Sequence, residues 1–99
     1  MELTAYNKRK QIDEGVATMM AERCISNYEN HIYSTTIAFH GYLYPVMLRL
    51  KDMVEAMMYS SGYWVESVKH RVPDTGYYDI VYTLKIMSES EKSTMLVAP

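Results

Sequence analysis

Apolar residues recur about every four positions along the first third of the chain: Ile12, Val16, Met20, Cys24, Tyr28 and Ile32. This spacing places them on one side of an amphipathic helix. Thr4 is a suitable N-cap residue. The pattern predicts a first helix over 4–38, with two points left open. Gly15 could divide the helix in two, and the β-branched residues of 35–37 leave its C-terminal end open.

A break in the apolar spacing follows, bracketed by Gly41 and Pro45. Proline is tolerated in the first turn of a helix, so it opens the next element readily. Beyond it, apolar residues again share one helical side: Val46, Met47, Leu50, Val54, Met57 and Met58. With a stop at 60–62, this predicts a second helix over 45–60, antiparallel to the first.

The pattern changes to alternation, in β-branched and aromatic residues, over 63–72 and 77–87. The Pro-Asp-Thr-Gly sequence of 73–76 between these segments is typical of a tight turn. A β-hairpin follows, and pairing Val72 with Tyr77 fixes its register. One face of the second strand is strongly apolar, and we expect the helices to cover it: Tyr78, Ile80, Tyr82, Leu84 and Ile86.

These elements predict an α+β fold in which two N-terminal amphipathic helices, about 4–38 and 45–60, pack on a C-terminal antiparallel β-hairpin. Residues 1–87 form one domain, and 88–99 is a loose polar tail whose residues 95–97 could dock as a short strand. A continuous first helix would be about 50 Å long, too long for one small globule to cover. We therefore expect a homodimer.

Charge and cysteine content narrow the classes of function. The 10 basic and 12 acidic residues give a net charge of −2, so nucleic-acid binding would need a local basic patch. A single cysteine, Cys24, forms no internal disulfide, which favours a cytoplasmic protein. No long apolar run follows the basic cluster at 8–10, so a secretory signal is not expected. The longest mostly apolar stretch, 41–50, is interrupted by Arg49 and too short to span a bilayer, so no membrane association is expected.

The sequence gives little support for catalytic or metal-binding residues. His70 opposite Asp79 could be an oriented imidazole, yet such a pair is more often a polar contact across an exposed hairpin. Cys24, His31 and His40 lack the close spacing of zinc ligands. We therefore predict no catalytic, cofactor-binding or metal-binding residue, and we do not expect an enzyme.

Tyrosine and methionine are abundant, at ten and nine residues, and both types suit contact surfaces. The leading hypothesis is a non-enzymatic protein that acts through protein–protein interaction. The alternative is a nucleic-acid-binding module that uses two basic clusters, 8–10 and 69–71, with nearby aromatic rings. The residues predicted for nucleic-acid or partner contact are Lys8, Arg9, Lys10, Trp64, Lys69, Arg71 and Tyr77.

The chain has a tyrosine-rich segment, YYDIVYTLKI (77–86), and few amide side chains, namely Gln11, Asn7, Asn27 and Asn30. In these features it resembles small single-domain proteins of filamentous viruses that infect crenarchaea. The resemblance concerns composition over the whole chain and includes no motif. It implies a virus accessory protein that acts on a host or viral protein in the host cytoplasm. It carries over no functional residue.

Overall fold

Helices and strands are interleaved along the chain in the computed structural model, which describes residues 4–96 and the side chains of 8–94. The order is α1 (Thr4–Glu29), β1 (Ser34–Phe39), α2 (Tyr44–Ser60), β2 (Tyr63–Arg71), β3 (Tyr78–Ile86) and α3 (Glu89–Leu96). The fold is α+β, but the predicted arrangement of two helices followed by a hairpin is wrong. Strand β1 lies between the helices and makes the sheet three-stranded, in the order β1-β3-β2.

Helix α1 ends at Glu29 and not at residue 38, because a hydrogen-bonded cap stops it. His31 adopts the left-handed conformation, with φ 66°. Its N–H donates to the carbonyl of Tyr28, and the N–H of Ile32 donates to the carbonyl of Asn27 at 2.8 Å. These two bonds satisfy carbonyls that a helix end leaves unpaired, in the pattern of a Schellman motif. The residues of 34–39 are thereby released into an extended strand.

Strand β1 alternates in burial, since Thr35, Ile37 and Phe39 are buried while the residues between them are exposed. It pairs antiparallel with β3, with Ser34 opposite Thr83. Strand β3 therefore has a hydrogen-bonded neighbour on each side. The third strand stabilises the sheet, because a two-stranded sheet by itself is only marginally stable in water.

The predicted hairpin register is confirmed over the whole length of β2 and β3. His70 lies opposite Asp79, and Trp64 lies opposite Lys85. At the turn, the N–H of Val72 donates to the carbonyl of Tyr77 at 2.8 Å. The turn ends at Gly76, whose φ of 75° suits a residue without a Cβ.

Helices α1 and α2 pack side by side on one face of the sheet, α1 over β1 and β3, and α2 over β2. The inward side of α1 carries the small residues Ala17, Ala21 and Cys24, which let the helix approach the strands closely. Inward from α2 point Met47, Leu50, Val54 and Met58, all with no exposed area. Of the strand face predicted to be covered, Ile80, Tyr82 and Leu84 are buried, Tyr78 is half-buried, and Ile86 is 53% exposed.

Gly15 lies inside α1, which continues through it without a hinge. A Cβ added at this position would meet no atom within 4 Å. We expect Gly15→Ala to raise the free energy of unfolding by about 0.5 to 1 kcal/mol, because alanine loses less backbone entropy in a helix. Chemical denaturation measures this. Gly62→Ala is the contrasting control and should destabilise, since φ at that position is 93°; a destabilising Gly15→Ala would contradict a continuous α1.

Residues 89–96, expected as part of a loose tail, form helix α3 instead. Ser88 and Glu91 make a capping box: the Glu91 N–H donates to Ser88 Oγ, and the Ser88 N–H donates to Glu91 Oε1 at 2.8 Å. The predicted docking of 95–97 as a strand is wrong for Met95 and Leu96, which are helical. Val97 lies outside the described residues.

Helix α3 lies against Trp64, the single tryptophan of the chain, through Ser90, Glu91 and Thr94. The hydrogen bond from the Ser88 backbone, together with one from the Trp64 side chain, lowers the pKa of Glu91 below its ordinary 4.5. A lowered folded-state pKa means that the ionised carboxylate stabilises α3 above pH 4.5 and that this stabilisation is lost as pH falls through the folded pKa.

Trp64 fluorescence should therefore be constant above pH 4.5 and change in a step whose midpoint lies below 4.5. Glu91→Gln should remove the step. The control is Glu89→Gln. The Glu89 side chain is 94% exposed, so this substitution should leave the step in the Trp64 fluorescence unchanged. A step that persists in Glu91→Gln would contradict the assignment.

Candidate interaction surfaces

Five residues of the two predicted basic clusters lie at one end of the molecule, where α1 and α2 begin and β2 ends. Arg49 of α2 joins them. We call this surface the basic pole and define it by six side chains: Lys8, Arg9, Lys10, Arg49, Lys69 and Arg71. The clusters are about 60 residues apart in sequence, so tertiary structure alone brings them to the same end.

Lys69 is held against the start of α2. Its ammonium group donates a hydrogen bond to the Tyr44 hydroxyl at 3.0 Å and lies 5.3 Å from the centre of the Tyr44 ring. The ring of Tyr78 lies 5.3 Å from that of Tyr44. The hydrogen bond from Tyr44 raises the pKa of Lys69, so this cation is secured at neutral pH. A cation fixed above the exposed Tyr44 ring suits contact with an anionic or aromatic group.

Lys8 and Arg9 lie on the other side of the α2 N-terminal turn. Together with Ile12, Val46 and Arg49 they line a shallow depression of about 400 Å³. Arg49 donates to Asp13 Oδ2 at 2.5 Å, which joins α1 to α2 at this end. This ion pair neutralises Arg49, so Lys8, Arg9 and Lys10, all exposed, supply the net charge here.

Charge is unevenly distributed between the two ends. Residues 8–14, 40–49 and 69–79 form the end with the basic pole, and they carry six Lys or Arg against four Asp or Glu. The other described side chains carry four Lys or Arg against seven Asp or Glu. The net charge of −2 therefore conceals a local positive field, and such a field steers anionic ligands.

Trp64 and Tyr77 do not join the basic pole as predicted. Trp64 lies at the opposite end of β2, about 17 Å from Lys69 by strand rise, and contacts α3. Tyr77 lies at the same end of the sheet as Arg71 but stacks on His40, with ring centres 6.2 Å apart. The sequence pattern missed Tyr44, which contacts Lys69, although a tyrosine directly before Pro45 was a usable signal.

A histidine–carboxylate pair exists, but its histidine is not the expected one. His40 Nε2 lies 2.8 Å from Asp79 Oδ1, whereas His70 faces the same aspartate across the ladder. Such a carboxylate orients an imidazole and could support general base catalysis. Within the described residues no serine, threonine or cysteine is hydrogen-bonded to His40. We assign this pair no reaction.

Two further reactive side chains, Cys24 and Tyr82, are buried. Burial raises the pKa of the Cys24 thiol to about 11, so it is protonated at neutral pH and a weak nucleophile. Burial also raises the pKa of Tyr82, whose hydroxyl has no hydrogen-bond partner among the described side chains. Residues 8–94 contain no group of three or more His, Cys, Asp or Glu side chains placed to hold a metal ion.

Large apolar side chains are exposed along the N-terminal part of the molecule. Eight are exposed among the described residues, and six of them fall within 12–44: Ile12, Met19, Ile32, Tyr33, Leu43 and Tyr44. Two lie on α1, three lie on the loops that flank β1, and Tyr44 is the first residue of α2. Met19 and Leu43 are each 71% exposed. Large apolar side chains that are exposed in this number are candidates for contact with a partner.

Comparison with known proteins gives no match to a family model, to a curated protein or to a solved structure. Among the helices of the described part of the chain, none is long and apolar enough to cross a membrane.

Proposed function

We propose that the chain is a non-enzymatic protein that acts by binding another protein. The observation that carries this proposal is the exposure of six large apolar side chains on α1, on the loops around β1 and at the start of α2. Exposing such groups to water is unfavourable, and a partner that covers them recovers the free energy of burial, about 25 cal/mol per Å².

The amino-acid types fit this role. Methionine adapts its shape to a partner, and tyrosine combines a large apolar ring with a polar hydroxyl. The proposal includes the accessory role in a virus that the composition suggests, with a host or viral protein as the partner in the host cytoplasm.

Affinity capture with the full chain as bait tests the proposal in lysate of the source cells. We expect a specific partner to be captured. The amount recovered should fall about 10-fold or more with the double variant Ile12→Ser, Met19→Ser. The matched control, Val68→Ser with Ile86→Ser, removes two side chains that are 54% and 53% exposed elsewhere. No protein bound above background, or equal loss in both double variants, would contradict the proposal.

A second candidate function is nucleic-acid binding, and the convergence of both basic clusters at the basic pole favours it. Lysine and arginine side chains neutralise phosphates and release counterions, so such binding would weaken steeply with salt. The exposed ring of Tyr44 beside Lys69 could stack on an unpaired base. The ligand would then be single-stranded.

Fluorescence anisotropy with a labelled single strand of about 20 nucleotides tests this candidate. If the chain binds nucleic acid, the dissociation constant at about 50 mM salt should be near micromolar. The triple variant Lys8→Gln, Arg9→Gln, Lys10→Gln should raise it about 10-fold or more. The control is Lys85→Gln with Lys92→Gln, which removes two cations at the other end and should change affinity little. No binding at low salt would remove this candidate.

A further inference from the structure

We infer that the free edge of β1 pairs with the β1 edge of a second copy of this chain, to form a two-fold homodimer with one continuous six-stranded sheet. The inference rests on the proposed protein-binding function and names one partner for the part of that surface around β1, where Ile32 and Tyr33 are exposed. It depends on where the backbone groups of each edge strand point.

The hydrogen-bond pattern fixes which β1 residues face outward. The N–H of Leu84 donates to the carbonyl of Tyr33 at 3.0 Å, so this opposed pair is hydrogen-bonded. Hydrogen-bonded and non-hydrogen-bonded pairs alternate along an antiparallel ladder. The backbone groups of Ser34, Thr36 and Ala38 therefore point away from β3, toward solvent.

Strand β1 lacks the charged residues and prolines that keep an edge strand from pairing with another strand. Natural edge strands are protected by charged side chains, proline or bulges, because an unpaired edge is a template for another strand. The sequence of β1, STTIAF, contains none of the charged residues or prolines. The side chains of the three outward-facing residues are small and leave the backbone accessible.

The other edge of the sheet, β2, differs in these respects. Its outward-facing residues include Lys69 and Arg71, whose charges would repel a second copy in antiparallel pairing near that end. The carbonyl of Val65 also faces outward and accepts a hydrogen bond from the Tyr59 hydroxyl at 3.4 Å. Because β2 carries these charges at its outer edge and β1 carries none, we infer that β1 is the edge that pairs.

Two-fold pairing centred on Thr36 places Ser34 of each copy opposite Ala38 of the other. This register makes about six hydrogen bonds between the copies. It sets the exposed side chains of Ile32 and Tyr33 beside the end of the partner's β1, at residues 39 and 40. The α1 helices, which lie over β1, would meet in the second layer through the half-buried Val16 and Met20.

The size of this contact is that of a weak dimer. A strand of six residues is about 20 Å long, and the sheet and helix layers together are about 20 Å deep. Each copy then buries about 400 Å² and the two together about 800 Å², an area typical of weak, transient interfaces.

Light scattering on a sizing column, over a range of concentrations, tests the inference with the full chain. We expect a mass twice 11.5 kDa at about 50 µM. Thr36→Pro removes an N–H that points away from β3, and a proline there obstructs the second strand. It should raise the dissociation constant about 100-fold or more. Ser67→Pro is the matched control, since residue 67 faces outward from β2, and it should leave the dimer intact.

A second pair of variants keeps the test valid if the proline variants fold poorly. Thr36→Lys keeps the backbone N–H but sets two like charges beside the two-fold axis, and we expect it to weaken the dimer about 10-fold. Thr83→Lys adds the same charge on the same sheet face one strand inward and should have little effect.

A wild-type chain that remains at 11.5 kDa up to about 200 µM would overturn the inference. A dimer that survives Thr36→Pro, or one that Thr83→Lys breaks equally, would also overturn it. Capture of another protein by a monomeric chain would leave the proposed function standing, so the two failures are distinguishable.

Discussion

Phe39→Ala is expected to lower the free energy of unfolding by about 3 to 5 kcal/mol. The Phe39 ring has no exposed area, and it projects from β1 into the core beneath the helices. Its removal loses the free energy of burial and leaves a cavity that the neighbouring core can fill only in part. For a small domain this is a large share of total stability. Denaturant unfolding followed by circular dichroism measures it.

Leu43→Ala is the matched control for Phe39. Leu43 is also a large apolar residue, four positions further along the chain, but it is 71% exposed. Its truncation should change stability by less than about 0.5 kcal/mol. Equal effects of the two substitutions would show that residue 39 does not enter the core, and the placement of β1 in the sheet would be wrong.

Proline substitutions at two adjacent positions of β1 should differ strongly in effect. Ile37 forms a hydrogen-bonded pair with Ile80, and its side chain is buried. Ile37→Pro removes this ladder bond as well as core volume, and we expect a loss of more than about 3 kcal/mol. The N–H of Thr36 points to solvent in the monomer, so Thr36→Pro should leave the monomer folded.

Thermal unfolding of both variants at a concentration that keeps the chain monomeric compares the two positions directly. A large loss at Thr36 with little loss at Ile37 would mean that the strand is paired one residue out of register. That result would turn its buried side chains to the open face.

The hairpin was predictable because its signals are local. Alternation over 63–72 and 77–87 and the turn at 73–76 fix the register without reference to the rest of the chain, and the structure has that register. The extent of α2 was predictable for a similar reason, since Pro45 and the stop at 60–62 bracket one apolar stripe.

Strand β1 was missed because Ile32 falls on the four-residue spacing of α1 and extends the stripe past the true helix end. The decisive feature is His31 in the left-handed conformation, which histidine adopts less readily than glycine and which no local pattern predicts. Helix α3 had a usable signal that the prediction of a loose tail overlooked. Ser88 followed by Glu91 is the spacing of a capping box.

The basic pole was predictable only as two separate clusters. Their meeting at one end depends on α1 running antiparallel to β1, which could not be known without β1 itself. Arg49 and Tyr44 join the pole through contacts with Asp13 and Lys69, and such tertiary contacts leave no trace in local spacing. The exposure of Ile12 and Met19 was likewise hidden, because both fit an amphipathic stripe.

Isotope-filtered nuclear Overhauser spectra on a mixture of labelled and unlabelled chain test the central claim most directly, since they report only contacts between copies. Pairing of β1 edges requires cross-peaks between copies from the backbone protons of Thr36, and from Ser34 of one copy to Ala38 of the other. Cross-peaks confined to β2 or to the open sheet face around Val68, with none from β1, would contradict it.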